Sequence, residues 1–422
     1  MQLKALPETG LVDEPVAWRV DGVPTGERVR LRITATDAAG REWRSDGSHR
    51  VGDDGVLEVA DPDTPWTTMA PTDTTVAPVT FTAPDDAWAA TAVAAYAEDE
   101  ATTTVHRLYA RGVVRRELSG ERWRLRCYEP SDASLLPAVL LVPGSMGVAA
   151  MAPTAALLAS RGHATAVLGY VEEPGLPASM QAIPVEILAE AARAFLALDT
   201  VDGDRLLVWA VSVGTGLALS ALAGSFPLPL CGVVAVSPTD VVWQALGAGG
   251  PPPKASSLSR EAQELPWLRM HGERLLGQVL THVVTGRLPG RPRSTAMRLR
   301  PVYDRSKDDP GTVAAAAIPV EQIDAPLLLV AGTADAMWPS VTMAQSIVDR
   351  RREHGVGHGD EFVVLPDAGH FMRPPATPTT VDRTADLVSG GSPEGVARGQ
   401  RTAWTRALAF LDRVFEPAPL GE

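Results

Sequence analysis

The chain has 422 residues, 45% of them hydrophobic, and a formal net charge of −13. This length and composition predict two globular domains with sizeable cores, and an acidic chain without a basic stripe argues against a nucleic-acid partner. Only Cys127 and Cys231 are present, so we expect no disulfide framework and a reducing, cytoplasmic setting. The N-terminus lacks the apolar core of a signal peptide, and no run is apolar enough to predict a membrane span.

The first part of the chain has the alternating pattern of half-buried β-strands. In residues 27–36, Val29, Leu31 and Ile33 fall on one face, while arginine and threonine side chains fall on the other. Similar short runs, each bounded by turn residues, continue as far as residue 118. Strands this short and this regularly spaced predict an antiparallel β-sandwich.

Two further segments complete the predicted N-terminal domain. The run VTFTA at 79–83 is interpreted as one more strand. Residues 117–130 have the pattern of a hairpin with its turn at Ser-Gly-Glu, and its continuation into the sheet of the second domain is left open. We place the β-sandwich at residues 1–128 and a second domain at 129–422.

The second domain has a different periodicity. Continuous apolar runs of strand length alternate with helical patterns, as expected for parallel strands that are buried on both faces. The main runs are PAVLLVPG (137–144), HATAVLGY (163–170), RLLVWAV (205–211), CGVVAVSP (231–238), APLLLVAG (325–332) and EFVVL (361–365). The sequence therefore predicts an α/β domain with a parallel sheet covered on both sides.

An insertion interrupts this alternation between residues 244 and 300. It opens with the flexible sequence GAGGPPPKASS at 247–257, and helix-compatible sequence extends from there to about residue 287. We interpret 244–300 as a cap over the active site, with a plain surface excursion as the alternative.

The sequence around Ser212 predicts a nucleophile. An apolar strand leads directly into Ser-Val-Gly-Thr-Gly and then into a helix, which is the nucleophile-elbow arrangement of α/β-hydrolases. Gly214 and Gly216 supply the small residues that the tight turn needs, although Ala210 replaces the first glycine of the usual motif. The alternative is a small-residue helix start without a nucleophile.

A serine nucleophile needs a histidine base, which follows it in the chain order of this fold. His370 follows a buried strand in the loop DAGHFMRPP, the place where the fold carries its catalytic histidine. His271 and His282 lie in the insertion. His354 and His358 have a spacing that suggests metal binding, but the glycines around them argue against the required helix. We therefore select His370 and predict no metal.

The orienting acid should follow the strand that precedes the histidine strand. Asp335 is in the loop after the apolar run 325–332, and we predict that it is the acid. Asp240, in the loop after the preceding strand, is the competing candidate.

Acyl transfer also needs backbone donors for the oxyanion of the tetrahedral intermediate. The N–H of Val213, directly after the nucleophile, is one predicted donor. The second should come from Ser145 or Met146 in the glycine-bounded loop after the first parallel strand, and the sequence leaves both open.

These motifs resemble the family of acyl-CoA thioesterases and bile acid-CoA:amino acid N-acyltransferases over nearly the whole length of the chain. The N-terminal part is similar to the family's β-sandwich, with its G-x-x-W-x-S signature at Gly40, Trp43 and Ser45. The segment around the predicted acid is similar to the family segment in which a tryptophan and a serine follow the aspartate, here Trp338 and Ser340.

Two residues depart from the family pattern. The family usually has glycine at the position of Ala210, and it usually has an acidic residue just before the aspartate, where this chain has Ala334. In the family, a serine nucleophile accompanies thioester hydrolysis, whereas a cysteine accompanies transfer to glycine or taurine. The resemblance therefore implies hydrolysis by Ser212.

The sequence-based prediction is an acyl-thioester hydrolase that uses Ser212, His370 and Asp335 and forms an acyl-enzyme. Its substrate is a small-molecule thioester of coenzyme A or an acyl group bound to a carrier, and no cofactor is expected. An acyltransferase or amidase using the same residues is the alternative. The complete set of three residues argues against a non-catalytic binding protein.

Overall fold

A computed structural model of the chain describes all residues except 74–79, 85, 133–134, 225, 248–251, 279, 281–296, 382, 385–386 and 417–422. The N-terminal elements are β1 (Gln2–Leu6), β2 (Thr9–Leu11), β3 (Ala17–Asp21), β4 (Arg28–Thr36), β5 (Glu42–Val51), β6 (Leu57–Glu58), α1 (Thr64–Thr67), β7 (Ala70–Pro71), β8 (Ala87–Tyr96) and β9 (Asp99–Leu108).

The elements that follow start with two antiparallel strands and then alternate. They are β10 (Val113–Ser119), β11 (Arg124–Pro130), β12 (Leu136–Val142), α2 (Gly147–Ala159), β13 (Ala164–Gly169), β14 (Ile183–Pro184), α3 (Glu186–Leu196), β15 (Val201–Val211), α4 (Val213–Leu222), β16 (Leu230–Val236), β17 (Leu258–Arg260), β18 (Gln263–Glu264), α5 (Arg300–Ser306), α6 (Pro310–Ala316), β19 (Leu327–Gly332), α7 (Ser340–Glu353), β20 (Glu361–Leu365), β21 (Arg383–Thr384), β22 (Leu387–Val388) and α8 (Pro393–Phe415). Two 3₁₀-helices span Gly272–Leu275 and Val320–Gln322.

The N-terminal domain is a β-sandwich. Its larger sheet has the order β2-β9-β8-β4-β5-β6, with β7 beside β5, and β1 pairs with β3 in the second layer. All of these pairs are antiparallel except β2–β9. Val29, Leu31 and Ile33 are buried in the core between the layers, so the strand and face predicted at 27–36 are confirmed in β4.

The G-x-x-W-x-S signature has a structural role in this sandwich. The indole Nε1 of Trp43 donates a hydrogen bond to Asp37 Oδ2 over 3.1 Å, and Ser45 Oγ donates to the carbonyl oxygen of Pro65 over 2.6 Å. Gly40 has φ of +78°, a conformation that L-residues rarely adopt, at the turn between β4 and β5. The three residues thus stabilise the hairpin and its contact with α1.

The strand predicted at 79–83 is wrong for residues 80–83, and residue 79 lies outside the described residues. The ring of Phe81 instead packs against Trp43 and Trp88, with centroids 5.5 and 5.0 Å apart. Phe81 is therefore apolar because it belongs to an aromatic cluster of the sandwich, and not because it lies on a β-strand.

The second domain is built on an eight-stranded sheet with the order β10-β11-β13-β12-β15-β16-β19-β20. From β13 to β20 all neighbours are parallel, which is the sheet of the α/β-hydrolase fold. Leu141 belongs to the core on the side of α2 and α8, and Leu140 to the core on the side of α3, α4 and α7. None of the described helices has the length and apolar character needed to cross a bilayer.

The hairpin β10–β11 belongs to this second sheet. β11 pairs with β13 through five residue pairs, from Arg124↔Gly169 to Tyr128↔Thr165. The division predicted between residues 128 and 129 therefore falls inside β11, and the eight-stranded sheet begins at Val113. The periodicity of a hairpin indicates strands, but it does not indicate which sheet receives them.

The described part of the insertion starts with strand rather than helix. β17 pairs with β14 and with β18, so the predicted helix is wrong for residues 258–271. Helical turns begin at Gly272, and residues 281–287 of that prediction lie outside the described part.

Buried polar contacts connect the two domains. The carboxylate of Asp13 accepts hydrogen bonds from Trp404 Nε1 and Arg161 Nε, both over 2.8 Å. Arg401 on α8 binds the carboxylate of Asp63 with two nitrogens, at 2.7 and 2.5 Å. Asp13 and Asp63 are both buried, so the sandwich is held against α8 by charge-assisted hydrogen bonds.

Candidate active site

Ser212 occupies the turn between β15 and α4. Its φ of 55° and ψ of −130° lie in a region that costs a non-glycine residue roughly 1–3 kcal/mol. The N–H of Ser212 donates to the carbonyl oxygen of Val236 on β16 over 2.9 Å, which fixes the turn to the neighbouring strand. This strained turn directs the hydroxyl away from the strand, as the predicted elbow requires.

Close approaches explain two glycines near Ser212, Gly214 and Gly144. A Cβ on Gly214 would lie 2.4 Å from the carbonyl oxygen of Pro143, and one on Gly144 would lie 3.0 Å from Ser212 Cβ. Ala210, which replaces the usual glycine, is fully buried in β15 between Val142 and Ala235 of the adjacent strands. The alanine methyl group therefore fits at this position.

The structure brings Ser212, His370 and Asp335 into one hydrogen-bonded chain. Ser212 Oγ lies 2.7 Å from His370 Nε2, and His370 Nδ1 lies 2.8 Å from Asp335 Oδ2. The second carboxylate oxygen, Asp335 Oδ1, accepts hydrogen bonds from the N–H groups of Met337 and Trp338 at 2.8 and 3.1 Å. In this arrangement His370 donates from Nδ1 to the carboxylate, which leaves Nε2 free to accept the serine proton.

All three side chains are shielded from solvent. Ser212 is 5% exposed, Asp335 3% and His370 0%. The ring of Trp338 packs edge-on against His370, with centroids 5.4 Å apart, and Tyr303 packs against Trp338 in turn at 5.6 Å. Trp338, which the family resemblance placed next to the acid, thus forms a wall of the histidine site.

The competing acid lies elsewhere. Both carboxylate oxygens of Asp240 bind Lys307 Nζ, at 2.6 and 2.7 Å, and both side chains are largely buried. Asp240 thereby connects the loop after β16 to the end of α5, and it does not contact His370 in the described structure.

Two of the other candidate histidines have partners away from Ser212. His271 Nδ1 is 2.5 Å from Glu273 Oε1, and His354 Nδ1 is 2.8 Å from the carbonyl oxygen of Arg350 at the end of α7. His358 is in the turn that follows, and His282 lies outside the described residues. No cluster of three or more metal-ligating side chains is present in the part of the chain that the structure describes.

The predicted oxyanion donors lie at the start of α4 and in the loop after β12. Val213 is the first residue of α4, where an N–H has no partner within the helix. Ser145 and Met146 follow Gly144 in a turn that is closed by a hydrogen bond from Gly147 N to Gly144 O at 3.1 Å.

Two residues that the sequence analysis missed hold this site. The buried phenol of Tyr170 donates to the carbonyl oxygen of Pro143 over 2.7 Å, at the base of the loop that carries Ser145 and Met146. Ser237 Oγ donates to the backbone carbonyl of His370 over 2.5 Å, and Ser237 has a strained φ of 47°. The only sequence signal for Ser237 is its place at the end of the strand beside β15.

A cavity of about 720 Å³ lies between the two domains beside this site. It reaches Gly144 and Met146 of the loop, Val211 just before the nucleophile, and Phe371 just after the histidine. Its other lining residues are Arg41, Thr80, Phe81, Thr82, Ala83, Asp86, Tyr109, Ser145, Ala149, Ala150, Met151, Ala152, Pro153, Thr154, Met372, Arg373, Pro374 and Thr377. The volume is in the range of roughly 300–1,000 Å³ that is usual for small-molecule sites.

Comparison with known proteins gives matches over most of the chain. Residues 183–417 match the family model described as BAAT / acyl-CoA thioester hydrolase C terminal. Acyl-coenzyme A thioesterase 1 of Mus musculus is 23% identical over 95% of this chain and 93% of its own. Acyl-coenzyme A amino acid N-acyltransferase 2 of Rattus norvegicus is 23% identical over 97% of each chain. A crystal structure of a putative dienelactone hydrolase from Klebsiella pneumoniae superposes with a TM-score of 0.42 at 15% identity, covering 72% of this chain and all of the other.

Proposed function

Since the chain belongs to the BAAT / acyl-CoA thioester hydrolase family, we propose that it hydrolyses acyl-CoA thioesters through a covalent acyl-enzyme on Ser212. One observation carries this proposal, the buried hydrogen-bonded chain from Ser212 Oγ through His370 to Asp335. A serine hydroxyl is a weak nucleophile at neutral pH, and an adjacent base that is oriented by a carboxylate activates it.

In the first half-reaction, His370 Nε2 accepts the proton of Ser212 Oγ as the oxygen attacks the thioester carbonyl carbon. The carbonyl oxygen becomes an oxyanion, which the N–H of Val213 and an N–H of Ser145 or Met146 stabilise. The tetrahedral intermediate collapses and the carbon–sulfur bond breaks. The thiol of coenzyme A leaves with the proton from His370, and the acyl group remains on Ser212 as an ester.

In the second half-reaction, His370 accepts a proton from water, whose oxygen attacks the ester carbonyl carbon. Collapse of this second intermediate breaks the bond to Ser212 Oγ, and His370 returns the proton to that oxygen. The free carboxylic acid leaves. Asp335 keeps its charge throughout and stabilises the imidazolium that forms twice in the cycle.

The cavity between the domains supports this function because it reaches Val211, directly before the nucleophile, and Phe371, directly after the histidine. We propose that it holds the acyl group. Met151, Phe371 and Met372 offer the apolar surface that an acyl chain needs to leave water.

The test measures the thiol of coenzyme A, with a thiol-reactive dye, and the acyl product, by mass spectrometry. Wild-type protein is offered octanoyl-, dodecanoyl- and hexadecanoyl-CoA, with and without glycine or taurine. We expect thiol release and free acid in each case where turnover occurs. Amide as the main product would assign the chain to the acyltransferases, and no thiol release from any substrate would contradict an acyl-CoA enzyme.

A further inference from the structure

The cavity between the domains has two chemically different walls. Helix α2 and the loop after His370 present mostly apolar groups, including Met151, Phe371 and Met372. The sandwich domain contributes hydroxyl and charged groups, among them Thr82 and Tyr109. A site for a purely aliphatic chain would need only the first of these walls.

Tyr109 is the most informative residue of the polar wall. It directly follows β9, where its N–H donates to the carbonyl oxygen of Asp86 over 2.6 Å, and only 6% of the residue is exposed. Within the described part of the chain, its phenol oxygen has no hydrogen-bond partner, although the residue lines the cavity. The phenol oxygen is not among the fully buried unpaired atoms of the described residues, so it is accessible from the cavity. A ligand that enters the cavity therefore meets an unpaired donor there.

The charges around Tyr109 indicate what kind of atom that is. Burial raises the pKa of Tyr109 to about 12, against an opposing effect of Arg373 and Arg107, so the phenol stays protonated and remains a donor. Arg373 lines the same cavity, where its Nη2 donates to Thr80 Oγ1 over 3.3 Å. A donor in a positive field favours an acceptor oxygen, neutral or anionic.

We propose that the cavity selects acyl groups that carry an oxygen substituent remote from the thioester, and that this oxygen accepts a hydrogen bond from Tyr109. The inference rests on the proposed hydrolysis and names its substrate class. An unsubstituted chain in the same place would displace water from the phenol and give no hydrogen bond in return, which disfavours it.

The experiment compares acyl-CoA thioesters of equal chain length, unsubstituted, ω-hydroxylated and ω-carboxylated, as octanoyl, dodecanoyl and hexadecanoyl series. The readout is the ratio of kcat/KM for the substituted to the unsubstituted substrate. We expect the wild-type ratio to be about ten for at least one chain length. One additional hydrogen bond worth roughly 1.4 kcal/mol gives a ten-fold difference. The hydroxyl and carboxylate series distinguish a neutral from an anionic oxygen.

Tyr109→Phe should bring this ratio close to one, because the ring stays and only the donor is lost. The matched control is Tyr128→Phe, a buried tyrosine on β11 that does not line the cavity and should leave the ratio unchanged. As a second readout without catalysis, the Ser212→Ala protein should bind the ω-hydroxy or ω-carboxy free acid about ten-fold more tightly than the unsubstituted acid in calorimetry.

A wild-type ratio of one at every length, or a preference that survives in Tyr109→Phe, would overturn the inference while hydrolysis itself stands. Failure of the wild-type protein to release thiol from any thioester would instead contradict the proposed function.

Discussion

The backbone N–H of His370 donates to the carbonyl oxygen of Ser389 over 3.0 Å, and the same oxygen accepts the N–H of Ala336 at 3.1 Å. Ser389 lies just after β22, while His370 and Ala336 belong to the loops after β20 and β19. One carbonyl oxygen therefore holds the histidine loop and the acid loop together. The placement of the histidine loop relative to the acid loop therefore depends on Ser389, which belongs to neither loop.

Gly390 allows this contact, which gives a first prediction. A Cβ at Gly390 would lie 2.0 Å from the carbonyl oxygen of Ala334, next to the acid. Gly390→Ala should therefore displace the acid loop and lower kcat by about 100-fold or more, the cost of misplacing catalytic groups by about an ångström.

Gly359 is the matched control for that variant. Gly359 and Gly390 share a φ of +90°, but a Cβ on Gly359 would meet no atom closer than 3.5 Å. Gly359→Ala should cost roughly 1–2 kcal/mol of stability and leave kcat near the wild-type value. Steady-state kinetics and urea denaturation of both variants check this. Equal losses of kcat would show that backbone strain at a positive φ, and not the clash with Ala334, lowers the activity of Gly390→Ala.

Ser212→Ala should lower turnover by roughly 10⁴–10⁶-fold in a folded protein, because the attacking oxygen is gone. Ser212→Gly should be equally inactive and about 1 kcal/mol more stable than Ser212→Ala, since glycine adopts a φ of 55° without the Cβ penalty. The measurements are thiol release and urea denaturation. An active Ser212→Ala protein would remove serine catalysis from consideration.

Asp335→Asn should lower kcat on the order of 10⁴-fold, because His370 loses its orienting charge. Asp240→Asn should retain most of the activity and lose roughly 3 kcal/mol of stability, because Lys307 is left in a largely buried position without its charge partner. Parallel kinetics and melting curves compare the two variants. The opposite pattern would mean that Asp240 is the acid.

Ser212→Cys should change how the acyl-enzyme partitions between water and an amine. An oxygen ester reacts slowly with amines, so water activated by His370 remains competitive in the wild type. A thioester acyl-enzyme reacts readily with amines, so the cysteine variant should give a larger amide fraction with millimolar glycine or taurine. Mass spectrometry of products from both proteins measures this, and an unchanged fraction would show that the site excludes amines.

Low pH should lower the stability of the N-terminal domain through protonation of Asp37. Burial raises the pKa of this carboxyl, but hydrogen bonds from Arg41, Trp43 and Ala39 outweigh that effect and lower the pKa below its ordinary 3.8. A carboxyl whose pKa is lowered by folding adds stability above its unfolded pKa and loses it as the pH falls through the folded value.

Asp37→Asn should therefore cost roughly 2 kcal/mol at pH 7 and progressively less below a pH of about 4. Urea denaturation of the wild type and this variant at several pH values measures the difference in the free energy of unfolding. A difference that stays constant down to pH 2 would show that the carboxylate charge contributes nothing.

Sequence pattern predicted the elements whose signal is local. The alternation at 27–36, the apolar runs of the parallel strands and the strand–Ser-x-Gly–helix turn at Ser212 each depend on residues close together in the chain, and β4, β12, β15 and α4 form where expected. Side-chain periodicity reports which face of an element is buried, so such elements are identified without knowledge of the fold.

Tertiary structure decided what depends on contacts between distant segments. Asp335 and Asp240 both follow strands of the sheet, yet in the described structure Asp335 contacts His370, whereas Asp240 binds Lys307 at the end of α5. Contacts between distant segments also determine the placement of β10 and β11, the hydrogen bonds of Ser389 to the two loops, and the cavity between the domains. A hydrogen bond between segments far apart in sequence depends on sheet order and domain packing, which leave no periodic trace in the chain.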